Sequence, residues 1–196
     1  VCFFDIESTN LNADFGFILC ISWKFSDEKK AHVVSITDFP AFKKDCTNDY
    51  HVVKNAAEEL SKADIWVTHY GTRFDVPMIQ TRLLKHGLKP MPPVPHVDTW
   101  RIAKYRLKLH SNRLASVSQI FGLEDKTALN GPIWLRAMAG HRPSIKYVVE
   151  HCVQDVYVLE QAYEKIKCLS PDPPNMNLVD PVERGCPRCG EASLQA

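Results

Sequence analysis

Residues Phe4 to Asn10 read FDIESTN and follow an apolar lead of Val1, Cys2 and Phe3. The stretch from Val1 to Ile6 reads as a core strand. Successive strand side chains point to opposite faces, so residues i and i+2 share one face. Asp5 and Glu7 then stand side by side, with Ile6 turned the other way into a core. Two adjacent carboxylates repel, and burying them uncompensated costs on the order of several kcal/mol. A positive charge belongs there, and a divalent cation is the candidate. Acids on a solvated edge strand need no cation, but the run VCFF ahead of them fits an edge poorly.

The 196 residues suit one domain of ordinary size with a small appendage. A hydrophobic fraction of 45% is usual for a globular chain, and no apolar run is long enough to span a bilayer. No secretory signal precedes the acidic strand, so the expected setting is cytoplasmic. There is no initiator Met, which reads as a fragment or a trimmed start. A net charge of +1 makes no global case for nucleic acid. Of seven cysteines, Cys2, Cys20, Cys46, Cys152 and Cys168 are scattered singly, as buried thiols of a reducing compartment are.

Phe15 to Phe25 and Ala31 to Ile36 read as a second and third strand around the turn-like SDEKK. Val52 to Ala63 has helical spacing and leads into a strand from Ile65 to His69. A helix follows Asp75, with Pro77 near its first turn and Gly87 at its end. From HVDTW a run of helices is expected through about Leu169, interrupted around GLEDKTALNGP. Strands first, then helices with one interspersed strand, predict an α/β fold: one central mixed sheet flanked by helices.

Other acids could complete a site with Asp5 and Glu7. Asp75 closes a loop after a core strand, where rigid scaffolds carry chemistry; a helix N-cap ahead of Pro77 is the plainer reading. The late helix SIKYVVEHCVQDVYVLEQAYEKI has Ser144 as its expected N-cap and a stripe of Ile145, Val148, Cys152, Val156, Leu159, Tyr163 and Ile166. His151 and Asp155 lie one turn apart at the border of that stripe, which aims them at the sheet. A solvated acid and a satisfied core-edge histidine are their plainer readings. Asp98 in HVDTW reads as a helix cap rather than a ligand. Carboxylate ligation suits hard cations such as Mg²⁺ or Mn²⁺, and two such ions can drive phosphodiester cleavage.

The motifs FDIEST, RFDVPMI, DTWRIAK and HCVQDVYVLEQAY, in this order, resemble the DEDD 3′–5′ exonucleases of the ribonuclease H-like superfamily. The likeness covers Val1 to about Leu169 and looks closest to the exonuclease domains of B-family DNA polymerases and related stand-alone predicted exonucleases. It implies a ribonuclease H-like fold and hydrolysis of terminal phosphodiester bonds, with two Mg²⁺ or Mn²⁺ ions. Asp5, Glu7 and Asp155 would hold one metal, Asp5 would bridge to the second, and Asp75 would act mainly through a water on the metal. The implied substrate is single-stranded DNA in preference to RNA. Ser8 and Leu11 match positions that in relatives touch the sugar and wedge against the terminal base, and Phe74 joins them as a substrate contact.

Two departures stand out. Relatives carry Tyr four residues before the last Asp, or His five before it; this chain has His151 four before Asp155. Imidazole titrates near neutrality and can take a proton from water, which a phenol with a pKa of about 10 does poorly. Tyr70 stands where relatives often have an Asn that contacts substrate. These departures favour a rival reading, a nucleic-acid-binding module of the same fold without turnover. An endonuclease of this fold is a third, told apart by cutting of a circular single strand.

The run WRIAKYRLKLHSNR interleaves Arg101, Lys104, Arg106, Lys108 and Arg113 with Trp100 and Tyr105. It could follow a phosphate backbone, or be a solvated helix face with apolar stems laid along the surface. The expected organisation is a nuclease domain over 1–169, a proline-rich linker over 170–185 and a CxxC segment over 186–196. Cys186 and Cys189 look like half of a zinc ribbon; a structural zinc usually needs four ligands, so either the other half was lost from this fragment, the favoured reading, or the pair is a redox motif or a weak site.

Overall fold

The computed structural model describes residues 1–123, 130–171 and 174. The expected linker and the Cys186/Cys189 segment therefore lie almost wholly outside the described residues. Five strands form one sheet in the order β3-β2-β1-β4-β5. They are β1 (Cys2–Ser8), β2 (Ile18–Phe25), β3 (His32–Ser35), β4 (Trp66–Thr68) and β5 (His96–Asp98). Strands β1, β2 and β3 pair antiparallel, whereas β4 and β5 run parallel to β1 and to each other. The sheet is thus mixed, and β1 is its middle strand rather than an edge.

Alternation along β1 sorts its residues between two apolar clusters. Cys2, Phe4 and Ile6 pack with helices α1 (Tyr50–Leu60) and α2 (Asp75–Lys85). Phe3 packs with α3 (Thr99–Arg106), α4 (Leu114–Phe121) and the second half of a 25-residue helix. That helix, α6 (Arg142–Ile166), follows the short α5 (Gly131–Met138). Phe3 and Phe4 are both fully buried, each contributing roughly 1.5–3 kcal/mol of burial. Asp5 and Glu7 share the Phe3 face, opposite Ser22 and Cys20 of β2.

Helix α6 crosses this face. Its Ile145, Val148 and Cys152 belong to the first cluster, and Val156, Val158, Leu159, Ala162 and Ile166 to the second. His151 and Asp155 stand where one cluster gives way to the other. Two contacts seat the helix: the Cys152 thiol donates to the Asp5 carbonyl at 3.4 Å, and Lys24 Nζ meets Glu160 Oε1 at 2.6 Å.

Several boundaries differ from expectation. Strand β2 begins at Ile18, not Phe15, because Thr9 N–H donates to the Phe17 carbonyl and closes residues 9–17 into a loop. HVDTW starts with a strand before its helix; three residues are too few to show a period. Helix α6 starts at Arg142 with His141 as N-cap, and Pro143 sits in its first turn. The Ser144 hydroxyl, the expected cap, instead meets His141 Nδ1 at 2.9 Å. No helix among the described residues is long and apolar enough to cross a membrane.

Candidate metal centre

Two of the expected ligands, Glu7 and Asp155, converge with His151, the expected base. One donor atom each from Glu7, His151 and Asp155 all lie within 4.8 Å of one another. His151 Nε2 is 3.8 Å from Glu7 Oε1 and 3.6 Å from Asp155 Oδ2. Strand β1 delivers Glu7, and one turn of α6 delivers the other two.

Asp5 borders the same space. It lines an open cavity of about 490 Å³ together with Asp155, His69, Tyr70, Trp100 and Arg113. The Cys152 thiol lies 3.7 Å from Asp5 Oδ2. Burial first, then Cys20 and the nearby acids, push that thiol well above its ordinary range. It stays a neutral donor that steadies Asp5.

Asp75 approaches β1 differently. It is the first residue of α2, behind the N-cap residue Phe74, and it is buried. Strand β1 runs past its pairing with β4, which reaches only Phe3, and Asp75 Oδ1 accepts the Ile6 N–H at 3.2 Å. Burial pushes the Asp75 carboxyl up to about 7; hydrogen bonds from its own and the Ile6 amide pull against this, and Asp98 adds to the rise. Asp75 is not the N-cap that the plainer reading offered, and it stands outside the three-residue group.

The loop between β4 and Asp75 is set by two devices. Gly71 passes so close to Thr68 that a Cβ would fall 2.2 Å from its hydroxyl oxygen, and the Gly71 N–H donates to that oxygen. Asp98 caps α3 through the Trp100 N–H, as expected, and also accepts from Tyr70 N–H, Thr72 N–H and the Thr72 hydroxyl. Tyr70 is left at a φ of +72°, a left-handed conformation costing an L-residue roughly 1–2 kcal/mol. His69 meets Thr99 and the Asn112 carbonyl at 2.9 Å each, joining this loop to α3 and the segment after it.

The substrate expectations divide. The Ser8 hydroxyl donates to the Asn10 carbonyl at 2.8 Å and shapes the loop. Leu11 is 80% exposed at the loop tip and lines a separate groove with Phe74. The sequence reading missed Asp98's hold on the loop, and it missed His69. It also missed the trio of buried Asp49 and Arg82 with half-buried His86, whose signal was Arg and His four apart at the end of α2.

The carboxylate oxygens of Glu7 and Asp155, with an imidazole and a further buried acid beside them, fit a hard divalent cation. Lys24 on the same face is paired with Glu160 two turns along α6.

A mixed sheet with its acids on the middle strand, crossed by a helix bearing His and Asp, defines a ribonuclease H-like α/β domain. The chain matches the RNase_H superfamily (RNase_H_2) over residues 2–167, and it belongs to that superfamily. Its fold is similar to that of a family B DNA polymerase from the hyperthermophilic archaeon Pyrobaculum calidifontis, with a TM-score of 0.65 at 17% identity. The match covers 83% of this chain and 24% of the polymerase. No curated protein matches the chain.

Proposed function

We propose that this domain is a two-metal 3′–5′ exonuclease acting on single-stranded nucleic acid, with Asp5, Glu7, Asp75 and Asp155 as metal-holding residues and His151 as base. The observation that carries the reading is the convergence of Glu7, His151 and Asp155 within 4.8 Å beside a cavity that Asp5 also lines. Superfamily membership supports a nuclease, and the polymerase fold makes DNA the first substrate to try.

Mg²⁺ or Mn²⁺ held by these acids would supply Lewis-acid stabilisation of the charge that builds on the phosphate. The residues themselves do the rest. His151, between Glu7 and Asp155, takes the proton of an attacking water; the adjacent carboxylates favour the imidazolium that results. Asp5 is held by β1 pairing and by Cys152, so its carboxylate needs no rearrangement. Leu11 and Phe74 are the proposed contacts for the terminal nucleotide, and Ser8 shapes the loop that presents Leu11.

A 5′-labelled single strand is incubated with Mg²⁺, with Mn²⁺ and with chelator, alongside Asp5→Ala and Asp155→Ala. The expected result is a metal-dependent ladder shortening from the 3′ end and lost in both variants. Cleavage that persists in either variant overturns the site. A strand that is bound but never cut favours the module without turnover, to which the strained Tyr70 points.

A further inference from the structure

Tyr70 holds an unfavourable backbone, and its ring is spent on the cavity wall. It packs edge-on against Trp100, with ring centroids 4.9 Å apart and planes at 67°, and it remains 39% exposed. Both rings line the cavity that Asp5 and Asp155 line. Trp100 also lines a second groove on its far side, with Arg73, Arg101, Lys104 and Tyr105. Lys104 Nζ lies 4.7 Å from the Trp100 ring centroid and 5.6 Å from that of Tyr105. Trp100 is therefore shared by an acidic cavity and a basic groove.

A bulky residue at positive φ is a genuine outlier, whereas Asn occupies this region readily. Backbone strain of this kind persists where the surroundings over-determine it, and here the Asp98 carboxylate holds the Tyr70 N–H at 2.8 Å. Cations beside exposed rings match a polyanion that carries flat bases, and unpaired bases stack on such rings whatever their identity. Bases inside a duplex are already stacked on both faces.

We propose that the touching rings of Tyr70 and Trp100 act as a clamp of one stacking face, not a sandwich, for an unpaired base next to the acidic site, while Arg73, Arg101 and Lys104 hold the phosphates of the strand leading to it. The clamp makes the domain selective for single strands. It rests on the nuclease reading only for which end of the strand enters the cavity.

The test is anisotropy of a 5′-labelled oligothymidylate, in chelator at low salt, against the same strand made abasic at its last three 3′ positions. Wild type is expected to bind the base-bearing strand about tenfold tighter or more. Tyr70→Asn, which suits the left-handed backbone, should keep its melting temperature and bring that ratio near one. Lys104→Ala should weaken both strands alike and flatten the salt dependence. Equal affinities in wild type, no binding of either strand, or an unchanged ratio in Tyr70→Asn each overturn the clamp. Cleavage with Mg²⁺ is scored separately. Base-selective binding without cleavage keeps the clamp and rejects the nuclease; cleavage without base selectivity does the reverse.

Discussion

His151 Nε2 lies 3.6 Å from Asp155 Oδ2 across one turn of α6, and Glu7 Oε1 stands 3.8 Å away on its other side. An imidazole between two carboxylates can both accept a proton and relieve their repulsion. His151→Gln keeps a polar group of similar reach but cannot titrate. It is expected to lower kcat by about 10²–10⁴-fold and to remove the rise in rate through neutral pH. His151→Tyr, the residue that relatives of one branch carry at this spacing, should recover part of the rate with the profile moved to higher pH. A pH–rate series decides: a uniform loss with an unchanged profile makes His151 a structural group.

Asp49 is fully buried and holds four donors: the Ile18 N–H at 2.8 Å, Arg82 Nε at 2.8 Å, Arg82 Nη2 at 2.6 Å and His86 Nε2 at 2.7 Å. Arg82 then reaches the carbonyls of Ala13 and Gly16, so the trio ties the Leu11 loop to α2. Removing one partner strands a buried charge, which costs about 3–5 kcal/mol. Asp49→Ala should lower Tm by roughly 10 °C in a chain of this length, and it should expose the 9–17 loop to protease. Thermal melts and limited proteolysis check this, and a loss under about 1 kcal/mol counts against it.

The mixed sheet, the facing of Asp5 and Glu7, and the aim of His151 and Asp155 were legible because each follows from a period: two in strands, 3.6 in helices. β5 was not, since His96, Val97 and Asp98 are too few to display one. The Asp98 contacts to Tyr70 and Thr72 span 28 and 26 residues, and no local pattern encodes them. Tyr70 looked like a missing Asn in the sequence. Its positive φ is a conformation that Asn adopts more readily than Tyr. Asp75 is legible as an acid that opens a helix after a core strand, but its bond to the Ile6 N–H depends on where β4 stops pairing.

That bond and its burial give metal-free protein a definite pH response. The Asp75 carboxyl titrates near 7 when folded and near its ordinary 3.8 when unfolded, so the folded state binds the proton more tightly. Its contribution is full below about pH 4 and is lost as pH rises through 7. Denaturant unfolding in chelator should show this decline, and Asp75→Asn should flatten it. Mg²⁺ should restore stability more at pH 8 than at pH 5, since protons and cation compete for the same charge. A metal-free stability curve that is flat from pH 4 to 8 would falsify the assignment.

The cysteines report whether α6 is seated on the acids. Cys2 is buried and its thiol is pushed up to about 12, chiefly by desolvation. Cys152 is raised well above its ordinary range by burial and by its neighbours Cys20, Asp5 and Glu7, whereas Cys168 is exposed. Alkylation runs through the thiolate. At pH 8 a thiol of pKa 12 is ionised about one part in 10⁴, against roughly a quarter for an ordinary one. Iodoacetamide at pH 8 should therefore label Cys168 within minutes and leave Cys2 and Cys152 intact until the chain unfolds, as peptide mass spectrometry can read. Cys152 labelling at the pace of Cys168, with Cys2 still protected, would mean that α6 lifts from β1 in solution. His151 and Asp155 ride on that helix beside Cys152, so the acidic site would then assemble only on binding cation or strand.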